Sequence, residues 1–95
     1  MHFVYILYSP SSDIYYVGES DNVTVRMNFH NLLNPRSFTS KHRPWSLKKT
    51  IPVSSRSIAR KIERYIKKRK SRKFIISLIN NDIAVQKLIT KFSNL

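Results

Sequence analysis

The chain is 95 residues without a cysteine, the size of one domain, and it holds neither a disulfide nor a thiolate zinc site. Eighteen Lys and Arg stand against five Asp and Glu, a formal charge of +13, which favours nucleic acid as the partner ahead of an acidic membrane surface. The 41% of hydrophobic residues argue against disorder, and the apolar run from Phe3 to Tyr8 is too short for a membrane span and lacks the basic lead of a signal peptide.

His2 to Ser9 is apolar on both faces, with Phe3, Tyr5 and Leu7 on one and Val4, Ile6 and Tyr8 on the other, as in a strand buried on both sides. Ser9 to Asp13 is a turn cluster and Ile14 to Glu19 a second β-rich run, so the pair reads as a hairpin. With Tyr8 opposite Asp13, Leu7 faces Ile14 and Tyr5 faces Tyr16, side by side on one face. Asp21 or Ser20 caps a helix from about Asn22 to Leu33, with Val25, Phe29 and Leu32 or Leu33 as its core stripe, and Asn34-Pro35 ends it. A basic loop over 34–44 leads to a third strand, Trp45 to Val53, with Pro52 marking its end or an edge. Ser54 or Ser55 caps a second helix to about Arg69, with Ile58, Ile62, Tyr65, Ile66 and Arg69 inward. Ser71 caps a third helix through Ile79. After Asn80-Asn81, Asp82 opens a last helix through Phe92, with Ile83, Leu88, Ile89 and Phe92 inward. This order predicts an α+β fold, a three-stranded antiparallel sheet flanked by three to four helices. It forms one domain over 1–95, with its core at about 3–80 and a C-terminal helix at about 82–92. A small domain without disulfides is an expected cytoplasmic protein.

Gly18 is the only glycine, where average usage gives roughly six or seven. Tyr5 and Tyr16 read as a stacked core pair whose hydroxyls need polar partners. Arg26 and His30, four apart, share a helix face near the inner stripe; taken alone they are two solvated side chains on a basic helix. Arginine fits a phosphate, and histidine titrates nearest neutrality. Glu63 stands among Arg60, Lys61, Arg64, Lys67 and Lys68. It reads either as a surface pair with Lys67 or as a lone carboxylate offered to a magnesium ion.

The order of these residues carries more than any one of them. Val4-Tyr5-Ile6, then Tyr16-Val17-Gly18, then Asn22, Arg26 and His30, then Glu63, resembles the GIY-YIG nuclease family over roughly residues 3 to 80. The small single-domain members, similar to the N-terminal nuclease module of the excision-repair nuclease, are the nearest in pattern. Ser37 to Lys41, Pro44-Trp45 and Ser55 to Glu63 add to the likeness. The resemblance implies a metal-dependent DNA endonuclease that hydrolyses phosphodiester bonds, with repair or recombination as its setting and room for a targeting protein partner. Glu63 would hold Mg²⁺ or Mn²⁺, and Arg26 would stabilise charge on phosphorus. Tyr5 would accept or position the attacking water's proton, Tyr16 would hold phosphate or water, and His30 would relay a proton near Tyr5. Gly18 would end the second strand and let phosphate approach its backbone. Gly18, Asn22, Lys41, Arg43, Arg60, Arg64, Lys67 and Lys68 are the candidate nucleic-acid contacts. Val4 stands where the family name has glycine. Glu19 stands where the repair modules often carry lysine, and would repel substrate or give a second metal contact. A free phenol with a pKa of about 10 is only about 0.1% ionised at neutral pH, so Tyr5 as a base needs that value lowered by Arg26 and metal. The main alternative is a basic nucleic-acid-binding module without cleavage. A structural domain docking on an acidic protein is a third reading, and convergence of Tyr5, Tyr16, Arg26 and Glu63 separates the first from both.

Overall fold

The computed structural model describes residues 1–33 and 35–93. Strand β1 (His2–Ser9) lies between β2 (Ile14–Ser20) and β3 (Ser46–Val53) in an antiparallel sheet of order β2-β1-β3. The strand that is apolar on both faces therefore takes the centre. Val4 and Ile6 pack into a core with Val17, Ile51 and Val53, which α2 (Arg56–Arg69), α3 (Arg72–Asn80) and α4 (Asp82–Ser93) close through Ile62, Ile66, Leu78 and Leu88. On the opposite face Tyr5 and Leu7 pack with Trp45, Tyr16 and Ile14 under Val23 and Met27 of α1 (Val23–Leu32). A short 3₁₀ helix, Phe38–His42, flanks α1. The α+β sheet-and-helix architecture is the expected one.

The hairpin closes one residue later on each strand than expected. Ser9 pairs with Ile14, Leu7 with Tyr16 and Tyr5 with Gly18. Asp13 takes a left-handed conformation at φ 55° and donates its N–H to the Ser9 carbonyl at 2.7 Å, so it belongs to the turn and pairing begins at Ile14. Aspartate tolerates this geometry better than most residues. The Tyr8–Asp13 contact survives between side chains, Tyr8 Oη donating to Asp13 Oδ1 at 2.6 Å. The shift keeps side-chain parity, so Tyr5 and Tyr16 stay on one face but sit diagonally.

Gly18 does not end β2, which continues to Ser20, and φ there is not positive. A Cβ on Gly18 would lie 2.3 Å from the Tyr5 hydroxyl oxygen and 2.4 Å from ring carbon Cζ. The backbone is bare so that the Tyr5 ring can cross it.

Helix α1 turns the opposite face to the sheet from the one expected. Val25, Leu32 and Leu33 are 57%, 73% and 56% exposed, whereas Val23 and Met27 pack inward and His30 is buried. Its cap is Asn22 rather than Asp21 or Ser20, with Oδ1 accepting from the Val25 N–H at 3.1 Å. The helix ends at Leu32, with Leu33 as its C-cap; Asn34, expected at its end, lies outside the described residues. Ser55 caps α2 and Ser71 caps α3. Arg69 and Ile83, expected inward, are exposed. Arg69 folds its guanidinium over the Phe74 ring, with Cζ 4.3 Å from the centroid, and α4 buries Val85 and Leu88 in place of Ile83.

Candidate active site

Tyr5, in the middle of β1, is 1% exposed and places its hydroxyl 2.8 Å from Nε2 of His30. His30 is held from its other side by Thr39, whose Oγ1 lies 3.0 Å from Nδ1. Thr39 is itself buried on the 3₁₀ helix. Its carbonyl accepts from Trp45 Nε1 at 2.8 Å, and Ser37 Oγ lies 3.2 Å from its hydroxyl. The result is a buried phenol–imidazole–hydroxyl chain reaching from the central strand through α1 into the loop. Asn31 fixes the same corner by pairing with the backbone of Trp45, donating to its carbonyl at 3.2 Å and accepting its N–H at 2.7 Å.

Burial, reinforced by the charges of Arg26 and Arg43, pushes the His30 pKa down to about 4. At neutral pH the ring is an uncharged imidazole that donates from one nitrogen and accepts at the other. Burial likewise raises the Tyr5 pKa; Arg26 pulls it down, and Tyr16 and Glu63 push it up. Desolvation of a phenolate thus outweighs the arginine beside it.

Tyr16 lies against His30 edge-on, with ring centroids 5.0 Å apart. Lys67 Nζ stands 5.3 Å from the centroid of the Tyr16 ring and 3.1 Å from Glu63 Oε2. The Glu63 side chain is only 20% exposed, and its charge reaches Tyr5. It therefore does not point to bulk solvent. Arg26 packs over Phe29, Cζ lying 4.5 Å from the ring centroid, and its buried Nε has no hydrogen-bond partner among the described residues. A donor of that kind next to Tyr5 suits an anionic ligand. Tyr5 is thus in contact with His30, Tyr16 packs on His30, and the charges of Arg26 and Glu63 reach Tyr5.

Among the described residues no three His, Asp or Glu side chains group as a metal cage. A lone carboxylate still fits Mg²⁺ or Mn²⁺, since Mg²⁺ binds through one or two carboxylates with waters and substrate phosphate completing its shell. Glu63, which pairs with Lys67, is the residue that would hold it.

Several candidate nucleic-acid contacts already have partners within the chain. Gly18 lies beneath the Tyr5 ring, so no phosphate reaches its backbone from that face. Asn22 uses its side chain to cap α1. Arg43 donates to the carbonyls of Phe29, His30 and Leu33, where it satisfies the end of α1. Glu19 projects to the face opposite Tyr5 and is held by His2 Nε2 at 2.5 Å and Arg56 Nε at 3.7 Å, and it lines a concavity of about 450 Å³ with Arg26. Lys41, Arg60, Arg64 and Lys68 are exposed. Arg60 and Arg64 line a concavity of about 380 Å³ on α2 with Arg56, Ser57 and Lys61. Thr39 was not singled out in the sequence, although a paired Tyr and His imply one more buried polar partner.

The GIY-YIG catalytic domain family matches residues 1–75 of the chain. No curated protein and no solved structure gives a significant match. No helix among the described residues is long and apolar enough to cross a membrane. The match spans well over half of the sequence, and the chain belongs to the GIY-YIG family of nuclease-type catalytic domains.

Proposed function

We propose that this chain is a divalent-metal-dependent DNA endonuclease, one catalytic domain over 1–95, with Tyr5, Tyr16, Arg26, His30 and Glu63 as its catalytic group. The 2.8 Å contact between Tyr5 and His30 carries the reading. Tyr5 need not rest as phenolate: as its oxygen takes the proton of the attacking water, its own proton passes to His30 Nε2. That transfer uses the His30 tautomer whose Nδ1–H donates to Thr39 Oγ1. A phosphate beside Arg26 neutralises one of the two charges that hold the His30 pKa down, so substrate binding readies the acceptor. Arg26 stabilises the charge that develops on phosphorus, and Tyr16 holds phosphate or water in line. Glu63 would hold Mg²⁺ or Mn²⁺, which supplies further charge neutralisation when bound. A setting in DNA repair or recombination, in the cytoplasm and with a targeting partner, rests on the family resemblance and lack of cysteine alone.

Glu63→Gln keeps the shape and removes one negative charge. It should bind DNA as well as the wild type or slightly better, yet cut plasmid more slowly by on the order of 100-fold or more in Mg²⁺. Wild-type cleavage by this variant, in a preparation free of other nucleases, would leave a basic nucleic-acid-binding module as the better description.

A further inference from the structure

A groove of about 410 Å³ opens beside the catalytic cleft between β2, α2 and α3, inside the range of about 300–1,000 Å³ that ligand clefts occupy. Tyr16 and Lys67 line it. The rest of its wall includes Phe38, Lys70, Arg72 and apolar side chains such as Ile66 and Ile75, so three cations and no acid line it. Phe38 is 57% exposed. One side of its ring stacks on Tyr16 at 6.4 Å and 27°, and His42 lies 4.8 Å away. The Phe38 backbone is anchored on both sides: Thr39 is buried against His30, and Ser37 caps the 3₁₀ helix. An exposed aromatic side chain by itself means nothing. Here it is an exposed aromatic face at the mouth of an apolar groove edged by three cations, one residue from the catalytic histidine's partner.

Lys70 adds a second oddity. It sits at φ 49°, ψ 36°, a left-handed cap where glycine is the favoured residue. Lys67 and Arg72 have acidic partners in Glu63 and Asp13, but no ion pair involves Lys70 among the described residues. The chain keeps an uncompensated cation there at some conformational cost.

We propose that this groove takes an unpaired nucleotide next to the scissile phosphate, its base stacked on Phe38 and its phosphate met by Lys67 and Lys70. This rests on the nuclease reading above and names its substrate: DNA with a single-stranded branch, flap or bubble at the cut. In a duplex both faces of a base are covered by its neighbours, so only edges and phosphates are offered. An exposed aromatic face is useful only to a base that has left the stack.

The test compares binding of a fluorescein-labelled single-stranded oligonucleotide, and of a duplex carrying a flap of that sequence, with binding of the fully paired duplex. Anisotropy is read in EDTA so that nothing is cut. Phe38→Ala should weaken binding to the first two by about 5- to 150-fold, the range for loss of one stacked base, and leave the paired duplex within about two-fold. Phe38→Trp should restore affinity, with its emission quenched by the single strand above the constant signal of buried Trp45. Phe38→Leu, which preserves bulk but has no aromatic face, should behave as Phe38→Ala. Equal affinity of wild type and Phe38→Ala for the single strand, or equal losses on all three DNAs, overturns the proposal. A wild type that cuts no DNA in Mg²⁺ or Mn²⁺ sinks the nuclease reading instead, and the metal-free binding result is unaffected by it.

Discussion

His30 is a buried titratable ring, and its pKa near 4 sets how the fold responds to acid. The unfolded chain takes up a proton on this residue near pH 6.5, whereas the folded chain resists until about pH 4. The contribution of the neutral ring is therefore complete above pH 6.5 and is lost as pH falls through that window, by about 3 kcal/mol at most. Urea midpoints of the wild type should fall between pH 7 and 4.5, and His30→Gln should show a flatter slope over the same range. A wild type with constant midpoints there would contradict the pKa. Gly18 gives a second prediction at this scale. Gly18→Ala forces a methyl into a Tyr5 ring that cannot retreat without breaking its contact with His30. It should destabilise by about 1–3 kcal/mol, and by much less in a Tyr5→Ala background, which a double-mutant cycle reads directly. The sequence showed that Gly18 mattered but not why. Its neighbour across the sheet depends on register, and one left-handed aspartate in the turn shifts the register by two.

At the scale of elements the strands and helix starts were legible, because apolar alternation, serine caps and turn clusters are local signals. The orientation of α1 was not. Val23, Arg26, Met27 and His30 form a helical stripe as regular as Val25, Phe29 and Leu32, and the second is the more apolar. The first faces inward because the buried hydroxyls of Tyr5 and Thr39 need His30 between them, a demand that periodicity does not encode. Thr39 escaped assignment, and Arg43 reads from sequence as a nucleic-acid contact, for a related reason: both lie in an aperiodic loop, where only the folded chain shows what each side chain meets. The α2–α3 junction tests an element-level trade. Left-handed geometry costs a lysine roughly 1–2 kcal/mol, whereas glycine adds roughly 0.5–1 kcal/mol of chain entropy on folding. Lys70→Gly should therefore gain about 0.5–1 kcal/mol in chemical denaturation while weakening single-strand binding at the groove. A variant that gains nothing would mean that the αL cap is not strained.

At the scale of the whole molecule, +13 is too coarse to say where DNA lies, because the cations are not equivalent. Arg43 satisfies carbonyls at the end of α1, and Arg72 holds Asp13 across the α3–turn junction. Arg60, Arg64 and Lys68 have no such role and project from α2 on the same helix as Glu63. Each phosphate contact by a free cation releases counterions and steepens the salt dependence of binding by about 0.9 in a double-logarithmic plot. Arg64→Ala should therefore lower that slope by about 0.9 and leave thermal stability within about 0.5 kcal/mol, as surface substitutions usually do. Arg43→Ala should do the reverse. Its slope should match the wild type, and its stability should fall by about 1–3 kcal/mol because buried carbonyls lose a charged donor. Titrating a labelled duplex against sodium chloride, alongside urea unfolding of each variant, places both on the same two axes. A lower slope for Arg43→Ala with unchanged stability would put DNA against the 3₁₀ loop and free Arg43 from the helix end. The expected crossing of the two variants puts the duplex along α2, with the cleft at its Glu63 turn.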